Sequence, residues 1–178
     1  VVDGSASGGF GSKSRLKRDV AAEIAAVLAY AAIKSNDKVG LVIFTDRVEC
    51  FVPPKKGKSH VWHVISEILS FKPQGRKTDI GNALNYLRRV VHRKSVCFVI
   101  SDFLTEGHET PLQVARFKND VIALEIGDPL EEEFGPGGIM SFADLETGEI
   151  VSIDMNKKAR RFFDALRRRE ASITAKKF

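Results

Sequence analysis

Five residues in this chain have the types and spacing of an all-oxygen cation site. They are Asp3, Ser5 and Ser7 in Asp3-Gly4-Ser5-Ala6-Ser7, Thr78 in Lys77-Thr78-Asp79, and Asp102 in Ser101-Asp102-Phe103. Each sits where an apolar run gives way to a loop or a helix. Asp3 follows Val1-Val2, and Asp102 follows Val96–Ile100 with only Ser101 between. In an open parallel sheet, ligands bind in the crevice beyond the carboxyl ends of the strands, so these positions converge if the strands are neighbours. Two carboxylates and three hydroxyls, without imidazole or thiolate, favour Mg²⁺, with Mn²⁺ or Ca²⁺ as substitutes, over Zn²⁺ or Cu²⁺. A mostly neutral ligand set leaves the ion much of its charge. A carboxylate from another protein is then a favourable further ligand.

Each residue also has a plain structural reading. Asp3 or Ser5 can cap a loop, Thr78 can cap a helix beside a dipole-favoured Asp79, and Asp102 can sit in a turn. It is their joint placement at one sheet edge that favours the cation site. Other chemistry fits less well. Gly8-Gly9-Phe10-Gly11-Ser12-Lys13-Ser14 departs from a phosphate-binding loop because Ser12 separates Gly11 from Lys13. An aspartyl-nucleophile phosphatase needs Asp-x-Asp where this chain has Asp3-Gly4-Ser5, and a hydroxyl cannot replace the second carboxylate as general acid. The four histidines are scattered, and His60 and His63 lack a third ligand nearby. The alternative to a binding module is a Mg²⁺-dependent hydrolase or phosphotransferase at the same ion, with Asp46, Asp79 or His108 as the added acid or base.

The elements needed to hold these residues are visible in the hydrophobic pattern. A helix is predicted over Leu16–Lys34, with Val20, Ile24, Val27, Leu28 and Ala31 on its inner stripe and Asn36-Asp37 ending it. Val39–Phe44 reads as a strand covered on both faces. Val48–Val52 reads as an antiparallel partner at the sheet edge, stopped by Pro53-Pro54. Ser59 is expected to cap a helix through Leu69, and Thr78 to open the next, with Ile80, Ala83, Leu84, Leu87 and Val91 inward. Ser95–Ser101 and Val121–Ile126 read as strands, with Thr110-Pro111 starting the helix between them. A hairpin over Ile139–Ile153 and a basic amphipathic helix over Lys157–Glu170 complete the chain. Strands alternating with helices predict an α/β fold: a doubly wound, mostly parallel Rossmann-like sheet with helices on both faces and one antiparallel edge strand.

A length of 178 residues suits one domain spanning 1–178. A central strand of only two residues before Asp3 suggests a chain cut within its first strand. The net charge of +5 comes from basic residues dispersed over polar helix faces without interleaved aromatics, which argues against nucleic acid. Cys50 and Cys97 lie in strands and read as reduced thiols of an intracellular protein. No apolar run approaches the roughly 18 residues of a bilayer span. The expectation is a cytoplasmic domain without membrane contact of its own, any anchor lying upstream of Val1.

The ordered set of Asp3–Ser7, Thr78 and Asp102 resembles the metal-ion-dependent adhesion site of von Willebrand factor A domains. Further segments narrow the resemblance: Asp37-Lys38-Val39-Gly40-Leu41, Phe44, Val52–Gly57, Gly75–Asp79, Ile100–Phe103, Asp128–Glu131 and Asp144–Glu149. Together they are similar to the bacterial domain-of-unknown-function family 58. Gly8-Gly9 stands where many members carry Met, a departure that removes no ligand. The resemblance implies a von Willebrand A-like fold, while the five-residue oxygen site and the absence of any nucleophile–base pair favour a non-enzymatic interaction module with a bound Mg²⁺. Its partner would present an exposed Asp or Glu, with a MoxR-type AAA+ ATPase as the implied candidate.

Overall fold

Val39–Phe44 (β2) is apolar at almost every position, and the sheet buries both of its faces. The computed structural model describes residues 1–5, 16–105 and 107–127 in full, and the backbone of 139–143 and 150–154. Val2–Asp3 (β1) pairs in parallel with β2 on one side and with Val96–Ser101 (β4) on the other. Val48–Lys55 (β3) lies antiparallel at the β2 edge, and Asp120–Glu125 (β5) lies parallel to β4. The order is β3-β2-β1-β4-β5, with β1 central. From β1 the chain first winds towards β2 and β3, then returns to the other side of β1 for β4 and β5. The topological switch point therefore falls between β1 and β4.

The period-two alternation of strand side chains divides the core between the two faces. Ile43 and Ile100 point to one side, where they pack with Lys17–Ser35 (α1) and Lys58–Ser70 (α2). Phe44, Cys97 and Val99 point to the other, against Ile80–Val90 (α3) and Glu109–Lys118 (α4). The doubly wound α/β architecture expected from the sequence is thus present, with a single antiparallel edge strand among the five. The chain divides into two compact units, Val1–Gly127 and Asp128–Phe178. In the second, Ile139–Ala143 (β6) and Ile150–Asp154 (β7) pair antiparallel, from Ile139 opposite Asp154 to Ala143 opposite Ile150. The helix expected over Lys157–Glu170 lies outside the described residues.

Several local expectations are corrected. The buried stripe of α1 is Lys17, Ala21, Ala25 and Ala29 at four-residue spacing, while Val27 is 62% exposed and Ala31 is also outside. Small side chains let α1 lie close against β1 and α2, and the larger Val20, Ile24 and Leu28 flank that contact. α1 ends as expected at Asn36, which adopts φ 54° and donates its N–H to the Ala32 and Ile33 carbonyls. β3 runs through Pro53-Pro54 to Lys55: successive N–H groups point to opposite sides of a strand, so the free edge accommodates one proline, and the register shift opposite Val39–Leu41 accommodates the other. Gly57, at φ 106°, precedes α2, so Ser59 lies within the helix; Leu69 is 65% exposed. α4 starts at Glu109, before Thr110-Pro111.

The alanine stripe supplies a test. Ala25→Leu should overpack the α1 contact and cost about 1–3 kcal/mol, whereas Val27→Ala on the exposed side should stay within about 0.5 kcal/mol. Urea unfolding measures both. Equal losses would show that the helix is rotated from the orientation described.

Candidate functional site at the sheet switch point

The site begins with Asp3, the last residue of β1. Its two carboxylate oxygens each accept a hydrogen bond: Oδ1 from the Ser5 N–H at 2.9 Å and Oδ2 from the Ser101 hydroxyl at 2.6 Å. The first bond curls the chain after β1 and brings Ser5 back against Asp3, where it is buried. The second spans the switch point to the last residue of β4. Each carboxylate oxygen retains acceptor capacity, since an ionised carboxylate offers about four lone-pair sites. Burial pushes the Asp3 carboxyl above the usual range, and the Asp102 charge adds to this, against the lowering effect of the Ser101 and Ser5 hydrogen bonds. Gly4 has its own reason to be glycine: a Cβ there would come within 3.2 Å of Ile43 Cγ2 and closer still to the Phe71 ring.

Beyond Ser101 the backbone turns sharply. Phe103 takes φ 54°, a region costly for a bulky residue, while its ring is buried in the core on the α3–α4 side. The Ser101 hydroxyl oxygen accepts the Phe103 N–H at 3.2 Å, and Asp102 Oδ1 accepts the Leu104 N–H at 3.3 Å. The other oxygen, Asp102 Oδ2, is buried without a hydrogen-bond partner among the described residues. The Lys17 ammonium stands 3.7 Å from it, with both side chains under 10% exposed. Asp3, Ser101 and Asp102, the basic Lys17 and Arg18, and the apolar Ala21, Ile100 and Ile126 line a pocket of ≈ 20 Å³, room for about one water or one bare cation.

Thr78 reaches the same edge by another route. Thr45, directly after β2, accepts the Asp79 N–H on its carbonyl at 2.8 Å, which pins the entry to α3 beside the β2 end. The N-cap of α3 is Asp79, whose carboxylate accepts the Asn82 N–H at 2.7 Å, so Thr78 lies one residue outside the cap it was expected to form. Glu49 on β3 braces the preceding loop. It accepts the Thr45 hydroxyl at 2.7 Å and the Gln74 and Gly75 N–H groups at 2.9 and 2.6 Å. Burial opposes the Glu49 charge, but these bonds and nearby Arg47 outweigh it and hold the carboxyl below its usual range. At Gly75 a Cβ would collide with Thr45 and Asp46, so only glycine lets this loop lie on the β2 end.

Of the five expected ligands, Asp3, Ser5 and Asp102 lie together around the switch point, and Thr78 stands at the neighbouring β2 end of the same edge. Ser7 lies outside the described residues, as do Lys13 and Arg15. Among the described residues no three His, Cys, Asp or Glu side chains form a metal cluster, so a cation here would depend on hydroxyls beside the two carboxylates. Of the expected donors only Asp3 and Asp102 line the pocket, beside the Ser101 hydroxyl, and Ser5 and Thr78 are not among its lining residues. Two carboxylates and a hydroxyl suit a hard divalent ion that keeps several waters, and among the described residues Asp102 Oδ2 is buried without a hydrogen bond. Sequence reasoning missed Lys17, which looks like any helical surface lysine until α1 is laid over β1. It gave no bracing role to Thr45 and Glu49, which no motif marks, or to Ser101, which stands inside the Ser101-Asp102 motif.

A mostly parallel five-stranded sheet with Asp3, Ser101 and Asp102 at its switch point defines a Rossmann-like α/β domain with a polar rim site. The chain belongs to the family described as "Protein of unknown function DUF58", which it matches over residues 1–173. Uncharacterized proteins of Mycobacterium bovis and Mycobacterium tuberculosis are each 31% identical over 159 residues, 86% of this chain and 50% of theirs. The chain thus spans about half the length of these curated relatives. Two crystal structures share its fold at TM-score 0.64 and 19% identity. One is an aerotolerance-related membrane protein from Bacteroides fragilis, matched over 92% of this chain and 84% of that one. The other is the conserved hypothetical protein BatB from Bacteroides thetaiotaomicron, over 92% and 82%. Among the described residues, no helix is long and apolar enough to cross a membrane.

The opposite shifts of the two acids predict opposite pH responses. A raised folded-state pKa means that Asp3 favours folding below its unfolded pKa and loses that contribution as pH rises through the folded value. In metal-free buffer Asp3→Asn should therefore gain stability relative to wild type as pH rises from 4 to 7. Glu49, with a lowered pKa, contributes above its unfolded pKa and loses this as pH falls through the folded value. The loss caused by Glu49→Gln, about 1–3 kcal/mol for hydrogen bonds to a charged acceptor, should be largest near neutrality and shrink in acid. Thermal melts across this range read both, and parallel profiles for the two variants would contradict the assigned environments.

Proposed function

We propose that this domain is a non-enzymatic, metal-dependent protein-interaction module. Its site would hold one Mg²⁺, with Mn²⁺ or Ca²⁺ as substitutes, and would take an exposed Asp or Glu of a partner protein. The observation that carries the reading is the pair of acids at the switch point, with Asp102 Oδ2 buried and without a hydrogen bond. Asp3 and Asp102 supply anionic oxygens. Ser5, Ser7 and Thr78 supply neutral ones. When bound, the cation provides an electrophilic position that a partner carboxylate completes. The same residues, in the same order, carry the likeness to the metal-ion-dependent adhesion site of von Willebrand factor A domains, and this supports binding over hydrolysis or phosphotransfer.

The surround suits an acidic partner. Arg76 and Lys77, both exposed, stand in the loop immediately before Thr78. They would speed encounter with a negative surface and make it salt-sensitive. A MoxR-type AAA+ ATPase is the candidate that the family resemblance supplies. By the same resemblance, we place the domain on the cytoplasmic side, with any membrane anchor in another part of the protein.

Two measurements test this. Calorimetric titration with Mg²⁺ or Mn²⁺ should give a weak, single-site heat that Asp3→Ala abolishes; equal heats from both proteins would remove Asp3 from the site. Surface plasmon resonance against candidate ATPases should show binding that chelator abolishes at every ionic strength. Charge reversal at Arg76 and Lys77 should slow association by about tenfold or more, within the range that electrostatic steering commands, while the metal requirement persists. A complex that survives excess chelator unchanged would rule out carboxylate bridging.

A further inference from the structure

Lys17 is the first residue of α1 and lies on its buried stripe, 5% exposed, a position occupied one, two and three turns later by alanine. A lysine almost never becomes this buried unless a partner charge holds it. Its ammonium faces Asp102 Oδ2 at 3.7 Å, within ion-pair reach but beyond the usual hydrogen-bond distance of about 2.7–3.2 Å. That oxygen is the one without a hydrogen bond. Lys17 also lines the pocket shared by Asp3, Ser101 and Asp102. Thus the buried acids meet a positive charge that stands at ion-pair distance from Asp102 and is carried on a long, flexible stem.

We propose, resting on the metal-site reading above, that Lys17 is a tethered competitor of the cation. In the metal-free protein its ammonium balances the charge of Asp102 and so permits two neighbouring acids to be buried. A divalent ion placed between Asp3 and Asp102 takes over this neutralisation and faces Lys17 as a like charge in a site of low dielectric. The ammonium then leaves the pocket for solvent, to which its position at the first turn of α1 gives a short path. Metal uptake and exposure of Lys17 are one event, and the competition weakens metal affinity. The domain thereby reports its metal state at the start of α1, where a displaced ammonium adds positive charge to the rim that an acidic partner would approach.

The test reads Lys17 directly in the wild-type protein. Acetic anhydride labelling in chelator, followed by peptide mass spectrometry, should leave Lys17 protected relative to the exposed Lys55 and Lys56. Saturating Mn²⁺ should raise its labelling by about tenfold or more, as expected when a buried amine becomes solvent-exposed, without changing the two reference lysines. In Asp3→Ala the same Mn²⁺ should leave Lys17 protected. By calorimetry Lys17→Met should bind Mn²⁺ at least about tenfold more tightly than wild type, whereas Lys17→Arg should not. If wild type binds Mn²⁺ while Lys17 stays protected, or if Lys17→Met binds no more tightly, the competitor role is overturned and the metal site stands. If neither wild type nor Lys17→Met binds Mn²⁺, both readings fall. Should Lys17→Met not fold, the wild-type labelling decides alone.

Discussion

The hydrogen bond from the Ser101 hydroxyl to Asp3 Oδ2, 2.6 Å long, is the tie on which the rim of this molecule depends. It joins the last residue of β1 to the last residue of β4, the two strands on either side of the switch point. The same Ser101 oxygen accepts the Phe103 N–H. One hydroxyl thus fixes the direction of Asp3, the turn after β4 and, through that turn, the position of Asp102. Such a bond counts for more in a partly dry site than in water, because the groups it pairs would otherwise be buried without partners.

Around this tie the charges are arranged with unequal stringency. Asp3 accepts one hydrogen bond on each oxygen and still carries a raised pKa, which marks a carboxylate held where water is scarce. Asp102 has one oxygen in a local turn and the other facing an ammonium just out of hydrogen-bond range. Glu49, on the opposite side of β2, is held in the ionised form by donors and does purely local work: it keeps the loop before Thr78 against the β2 end. Two acids near the switch point thus remain electrostatically demanding while the third is satisfied. This is the pattern expected when strain and desolvation are concentrated where a ligand is to bind.

β1 is held from both sides at the centre of the sheet. Val2 pairs with Ile43 on one side and Ile100 on the other, and both neighbours belong to the core beneath α1 and α2. The alanine stripe of α1 then lets that helix lie close over β1. The close approach carries Lys17, at the head of the stripe, into the rim pocket. Packing on one face of the sheet thereby determines the electrostatics at its end.

By itself the sequence determined the alternation of strands and helices, the parallel sheet, the antiparallel edge, the strand-end positions of Asp3 and Asp102 and the place of Thr78 before a helix. These follow from local periodicity, and local information suffices for them. It misjudged features that depend on what lies opposite. Val27 was assigned inward because it is apolar, yet the close contact behind α1 admits only alanine. Pro53-Pro54 was read as a stop, yet a free edge and a register shift at that point let the strand run through both prolines. Thr78 was given the cap that Asp79 makes. Tertiary structure alone decided that Lys17 is buried against Asp102, that Ser101 ties β4 to Asp3, and that Thr45 and Glu49 brace the approach to Thr78. Each of these contacts joins residues far apart in the chain or fixes which face of a helix turns inward. Only the strand order and the helix rotations, set by packing across the whole sheet, bring such groups within reach of one another.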